Sequence, residues 1–221
     1  MPAEPDTVRL APSLDNTVFQ PFATEQLSNG IGPHFYAGTN LSGNARRGLL
    51  AFAVSDSVPA GAQILQADLM LTVSQVRETS PLAFRLHRLL SRWGEGASNA
   101  GTGGISHGGG GGAPATPGDA TWTWAVLDTA LWAAPGGDFV AAPSAEAAVT
   151  GLGPAEWASS AGLVADVQAW VDDPSSNHGW ILRGEEGEPG TAKRFDSREA
   201  PASGDRPRLR VVYRLLVPAP R

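Results

Sequence analysis

Three kinds of side chain in this sequence can do chemistry, and each has its own spacing. Basic residues occur in short strand-like stretches: Arg46 and Arg47 in ARRGLLAF, Arg85 and Arg88 in FRLHR, and Lys193, Arg194 and Arg198 in KRFDSRE. Guanidinium groups grip carboxylates through paired hydrogen bonds, so a stripe of them suits an acidic polysaccharide such as a polyuronate. Arg46, Arg85 and Arg88 are the basic candidates for ligand contact. Arg47 is expected to pair with a buried carbonyl, and Arg198 with Asp196 or a neighbour of Glu199. Five of the seven tryptophans fall between residues 93 and 157, around a glycine-rich stretch. Sugar rings present apolar C–H faces, so Trp93 and Trp132 are the aromatic candidates for a glycan platform, the alternative being that they plug an end of the core. Trp122 and Trp124, two apart in TWTW, share a face and are expected to be buried.

Carboxylates gather at Glu185, Glu186 and Glu188 and at Asp172–Asp173. Two carboxylates flanking a cleft would suit glycoside hydrolysis, but neighbours on one turn point apart into water. The histidines His34, His87, His107 and His178 are too scattered to suggest a metal cluster. GISHGGGGGAP lacks the Lys-Ser/Thr of a phosphate-binding loop, and neither HExxH, nor EF-hand spacing, nor a G-x-S-x-G elbow is present. No catalytic residue is assigned and no cofactor is expected. A structural calcium is compatible with Asp6, Asp15 and Asp196 near strand ends, without diagnostic spacing.

The elements that must position these groups read mainly as strands. Gly and Pro supply 27 and 18 of the 221 residues, which favours short strands and many turns over long helices. Leu65, Ala67, Leu69, Leu71 and Val73 alternate with polar or smaller neighbours, predicting a strand over 64–76 with one buried face. Leu50, Phe52 and Val54 share a face of the stretch 49–54, and Ala51 and Ala53 on its other face allow close approach of a second layer. Further strands are expected at 5–10, 16–22, 34–37, 84–86, 179–182, 192–197 and 207–216, with a turn at Asn29–Gly30. Leu163, Val164, Val167 and Trp170 predict one helix over 159–171, capped by Ser159 or Ser160. Residues 94–120 read as a flexible surface loop, because five consecutive glycines at 108–112 bury nothing.

The sequence therefore predicts one all-β domain over 1–221, an antiparallel jelly-roll-like β-sandwich with a short helix, a glycine-rich loop and a Pro-rich stub at 217–221. The net charge of −6 argues against a general nucleic-acid binder. Cysteine is absent, which excludes disulfides and thiolate chemistry. No apolar run approaches 18 residues, so no membrane span is expected. The opening MPAEPD lacks the basic and apolar regions of a secretory signal.

A set of motifs resembles the DNRLRE-domain family of bacterial extracellular β-sandwiches. In order these are LDNTVF (14–19), LSNGIG (27–32), ARRGLLAF (45–52), VPAGAQILQADLMLTV (58–73), WGEG (93–96), GDATW (118–122), PGGDF (135–139), the helix at 162–171, FDSRE (195–199) and RPRLRVVY (206–213). The resemblance implies a sandwich fold, export with removal of a leader, and a non-catalytic module at the cell surface or outside the cell. It is related to some carbohydrate-binding modules, so polysaccharide or an envelope component is the expected partner. A structural, self-associating surface protein is the first alternative, and a polysaccharide hydrolase or lyase the second.

Overall fold

Alternation of inward apolar and outward polar residues builds most of the body. The structure is a computed structural model that describes residues 4–103 and 110–215. In chain order come β1 (Asp6–Leu10), β2 (Leu14–Phe19), β3 (Leu27–Ser28), β4 (His34–Thr39) and β5 (Ala45–Ala51). The long β6 (Ala62–Gln75) and β7 (Leu82–Arg88) follow, then α1 (Ala100–Gly103), β8 (Ala113–Pro114), β9 (Trp124–Val126) and β10 (Ala130–Leu131). The last part holds β11 (Ala145–Val149), β12 (Gly153–Trp157), α2 (Ala161–Asp172), β13 (Trp180–Arg183), β14 (Lys193–Asp196) and β15 (Arg208–Leu215). No helix among the described residues is long and apolar enough to cross a membrane.

The main strands pair antiparallel in one curled sheet, β1-β15-β6-β14-β4-β5-β13-β7-β11, with β12 added to β6 and β2 to β5. The sheet folds over at β4, where His34–Ala37 pair with β14 while Gly38 and Thr39 pair with β5. Gly38 permits the switch. Its φ is +108°, and an added Cβ would stand 2.8 Å from the Ala192 backbone, so no side chain fits. The outcome is the expected all-β, antiparallel, sandwich-like fold.

Inside the fold, Leu69, Leu71, Phe195 and Val211 pack with Leu50, Phe84, Leu86 and Leu182. Phe195 is the aromatic hub, with ring centroids 5.4 Å from Phe35, 5.7 Å from Phe84 and 6.3 Å from Trp157. The predicted phase of β6 holds from Ala67 to Val73 and slips before it. The ladder to β15 shifts between Val212 and Tyr213, so Ile64 turns inward and Leu65 is only half-buried. One extra residue in a bulge does this.

Helix α2 lies close to its predicted span. Ser160 caps it, accepting from the Leu163 amide at 3.1 Å, and Leu163, Val167 and Trp170 are fully buried. The helix also covers an edge of β6. The Gln168 amide accepts from Ile64 N at 2.9 Å and donates to Ala62 O at 3.1 Å, while Ser159 Oγ accepts from Ala67 N at 3.1 Å. Side chains thus stand in for a missing strand and blunt an edge open to foreign pairing.

Strand β5 is apolar on both faces, and this creates a third layer. Leu50 faces the main core, whereas Leu49 and Ala51 join Val18 and Ile181 in a second cluster roofed by Trp93, Ala120, Ala125 and Trp132. The expectation of a flexible surface loop over 94–120 is corrected for its described parts. Ser98, Ala100, Ala113, Asp119 and Ala120 are buried, and Ala100–Gly103 form a short helix. Gly96 has φ +67° and a Cβ there would meet Asp119 Oδ1 at 2.0 Å, so glycine serves close packing at this point. Residues 104–109, with His107, and the stub at 217–221 lie outside the described residues.

Candidate functional site

The predicted basic stripe is dispersed by the fold. Arg85 stands opposite Glu146 across β7 and β11 and pairs with it at 2.6 Å, as cross-strand opposites do. Arg88 pairs at 3.2 Å with Asp166, whose other oxygen accepts from Ser144 Oγ at 2.5 Å and Trp180 Nε1 at 2.7 Å. Arg47 was expected to meet a carbonyl. It does, donating to Gly136 O at 2.8 Å, and it also forms a two-bond pair with Glu186 while lying 4.7 Å from the Trp122 ring centroid. Lys193 turns inward and is 1% exposed, its Nζ donating to Glu78 O at 2.7 Å and Thr150 O at 2.6 Å. These groups are occupied in holding the fold.

Two members of the stripe do meet, joined by an arginine that the motifs did not single out. Arg46, Arg77 and Arg194 line one groove of about 190 Å³ with Tyr36, Asn40 and Gln75. The ends of β4, β5, β6 and β14 converge there. None of the three guanidiniums pairs with a carboxylate among the described residues. Arg46 is 5% exposed and gives its Nε to Gly110 O at 3.2 Å and its Nη1 to Asn44 O and Ala45 O, each at 3.1 Å. Its Cζ stands 5.2 Å from the Phe19 ring centroid, a cation–π contact. Burial pulls its pKa down to about 10, which still leaves it charged at neutral pH. Arg194 donates to Ser74 Oγ at 3.1 Å and Ser74 O at 3.2 Å. Arg77 is exposed and bonds to no described residue.

Tyr36 forms part of the same wall. Burial raises the pKa of its hydroxyl, an effect that Arg194 beside it partly offsets, so the phenol stays neutral. Leu41, 64% exposed, and Val76 add apolar surface at the rim. An adjoining hollow of about 460 Å³ shares Leu41, Arg77 and Gly190 and brings in Glu78 and Glu188, which gives one side of the groove an acidic border.

The sequence FDSRE proves to be a fastener. Phe195 fills the core, Asp196 lies 3.5 Å from His34 Nε2, and Ser197 Oγ donates to Gly32 O at 2.8 Å. Arg198, expected to pair near Glu199 or with Asp196, meets Glu199 at 2.9 Å and grips Glu95 of the glycine-rich stretch with two bonds of 2.8 and 2.5 Å. Asp15 is fully buried beside them. One oxygen accepts from the Arg198 amide at 2.7 Å, and the other has no partner. Burial above all, then the nearby Glu199 and Glu95 charges, raises the Asp15 pKa well above the usual carboxylate range against the pull of that amide and the Arg198 charge.

The tryptophan platform requires correction. Trp93 and Trp132 are each 5% exposed, and their Nε1 atoms donate to His178 O and Thr121 O, both at 2.8 Å. They roof the outer face of β5 and β13, where Leu49 and Ile181 must be kept from water. Trp122 and Trp124, expected to be buried, are only partly so.

The remaining polar candidates are also held individually. Glu186 bridges Arg47 and Arg183; burial would raise its pKa, and the bonds from both guanidiniums outweigh that and lower it. Glu185 accepts from Gly187 N, and Asp173 caps the 3-10 turn after α2. His87 is buried against Phe139 with Nδ1 3.0 Å from Val140 O. Asp6 accepts from the Tyr213 hydroxyl at 3.2 Å, so the three aspartates considered for calcium serve separate places. Among the described residues no three His, Asp or Glu side chains gather so as to hold a metal ion. No protein-family model matches this chain, and no curated protein matches its sequence.

Proposed function

We propose that this chain is a non-catalytic binding module for acidic carbohydrate, acting outside the cell as its resemblance to DNRLRE-domain proteins implies. The observation that supports the reading is the groove in which Arg46, Arg77 and Arg194 stand together without a carboxylate partner among the described residues. Three guanidiniums with no paired acid among the described residues give this place, on a chain of net charge −6, a binding potential for an anion. A uronic acid fits the mixture of groups: its carboxylate matches a guanidinium fork, and its ring face suits Leu41, Val76 and Tyr36. Asn40 and Gln75 offer amides to ring hydroxyls.

Calorimetry and retention on polygalacturonate test the reading, with a neutral xylan as reference. Saturable binding to the acidic polymer is expected, weakening as salt rises because the contacts are charged and partly exposed. Arg77→Ala is the informative variant, since Arg77 bonds to no described residue and its loss should weaken binding about tenfold, worth roughly 1.4 kcal/mol. Flat calorimetry across uronate polymers, or equal retention of wild type and R77A, would remove the proposal.

A further inference from the structure

A second cationic hollow lies at the other end of β5. Arg46 stands near the start of that strand, while Ala51 and Phe52 at its end line a hollow of about 430 Å³ together with Ser13, Ser55, Arg92 and His178. Five to six residues separate the two places along the strand, about 17–20 Å at a rise of about 3.4 Å per residue.

The backbone under this hollow is fixed while the Arg92 and His178 side chains are left over. Asn177 Nδ2 donates to Phe52 O at 2.8 Å, and Trp93 Nε1 holds His178 O at 2.8 Å. The His178 ring itself bonds to no described residue, and Arg92 is exposed with no hydrogen bond or ion pair among them. Of the acids next to the lining residues, Asp173 spends its Oδ1 on Ser175 N and Ser175 Oγ, Asp15 is buried and accepts from the Arg198 amide, and Asp56, beside Ser55, is exposed. Burial, then the charges of Arg92 and Arg88, lowers the His178 pKa, so the ring sits in a field of positive sign. Hydroxyls of Ser13 and Ser55 on the same wall supply neutral donors.

We propose that this hollow is a second subsite for a carboxylated sugar, with Arg92 as the anchoring cation and His178 as a ring donor beside it. The ligand class rests on the reading given for the arginine groove; the site itself rests on Arg92 and His178. One chain then holds polyanion at both ends of β5, and long polymers are bound with avidity or bridged between chains.

Calorimetry with trigalacturonate, too short to join chains, decides the matter through stoichiometry. Two sites per chain are expected in the wild type, falling to one in Arg92→Ala and to one in Arg77→Ala, with none in the double variant. His178→Gln should weaken the second site several-fold while leaving the first unchanged. A stoichiometry that R92A and H178Q do not alter overturns the second subsite and leaves the arginine groove standing. One site that survives R77A but is lost in R92A supports this subsite and removes the arginine groove instead. No heat in the wild type removes both.

Discussion

Asp15 shows how a single residue couples the glycine-rich stretch to the rest of the fold, and what that costs. Its carboxyl is buried, one oxygen is unpaired, and its pKa is raised chiefly by burial. A carboxyl with a raised folded pKa stabilises the native state below its unfolded pKa of about 3.9, and that contribution is lost as pH climbs through the folded value. Glu199, raised for the same first reason, adds to this slope. Asp15→Asn keeps an oxygen for the Arg198 amide and places a neutral group in the buried position. It should flatten the decline in stability toward alkaline pH and gain about 1 kcal/mol above neutrality. Denaturant unfolding of both proteins at pH 5, 7 and 9 checks this; an equal loss of stability in the variant at all three would contradict it. Such roles are hidden in sequence, where Asp15 reads as one acid at a strand end. Arg46 and Arg194 were recognisable by type. Arg77 was not, because its nearness to them arises where the end of β6 meets β5 and β14, and Arg194 lies more than a hundred residues further along the chain.

At the scale of elements, period-two patterning made the main strands legible, and the 3.6-residue pattern with Ser160 before it did the same for α2. The third layer was not legible as a layer, although its cause is written in ARRGLLAF. Leu49 and Ala51 alternate with Leu50 and Phe52, so both faces of β5 are apolar and the outer one must be covered. Reading the glycines at 94–120 as freedom obscured this. At Gly96 they serve contact between backbone and Asp119 instead. Because Trp132 is part of that roof, Trp132→Ala should destabilise the protein by roughly 3–5 kcal/mol, the cost of emptying a large buried site. Binding to polygalacturonate should persist in the fraction that remains folded. Thermal unfolding alongside calorimetry separates the two effects; a stable W132A that has lost its ligand would restore Trp132 to the binding surface.

For the whole molecule, six of the fourteen described arginines are held by acids, and three of the others stand together. Arg85, Arg88, Arg47, Arg183, Arg198 and Arg210 each have an acid at 3.2 Å or closer. Among the described residues Arg46, Arg77 and Arg194 have none and share a groove, while Arg9, Arg92, Arg206, Arg208 and Arg214 also lack one and do not line it. A net charge of −6 keeps polyanions at a distance elsewhere and concentrates attraction where positive charge is uncompensated. The most direct measurement is a nuclear magnetic resonance titration that follows arginine Nε–Hε signals as a galacturonate oligomer is added. The account predicts saturable shifts at Arg46, Arg77 and Arg194, with Arg85, Arg198 and Arg210 unmoved. Shifts confined to the paired arginines, or no shifts at saturating oligomer, would contradict it.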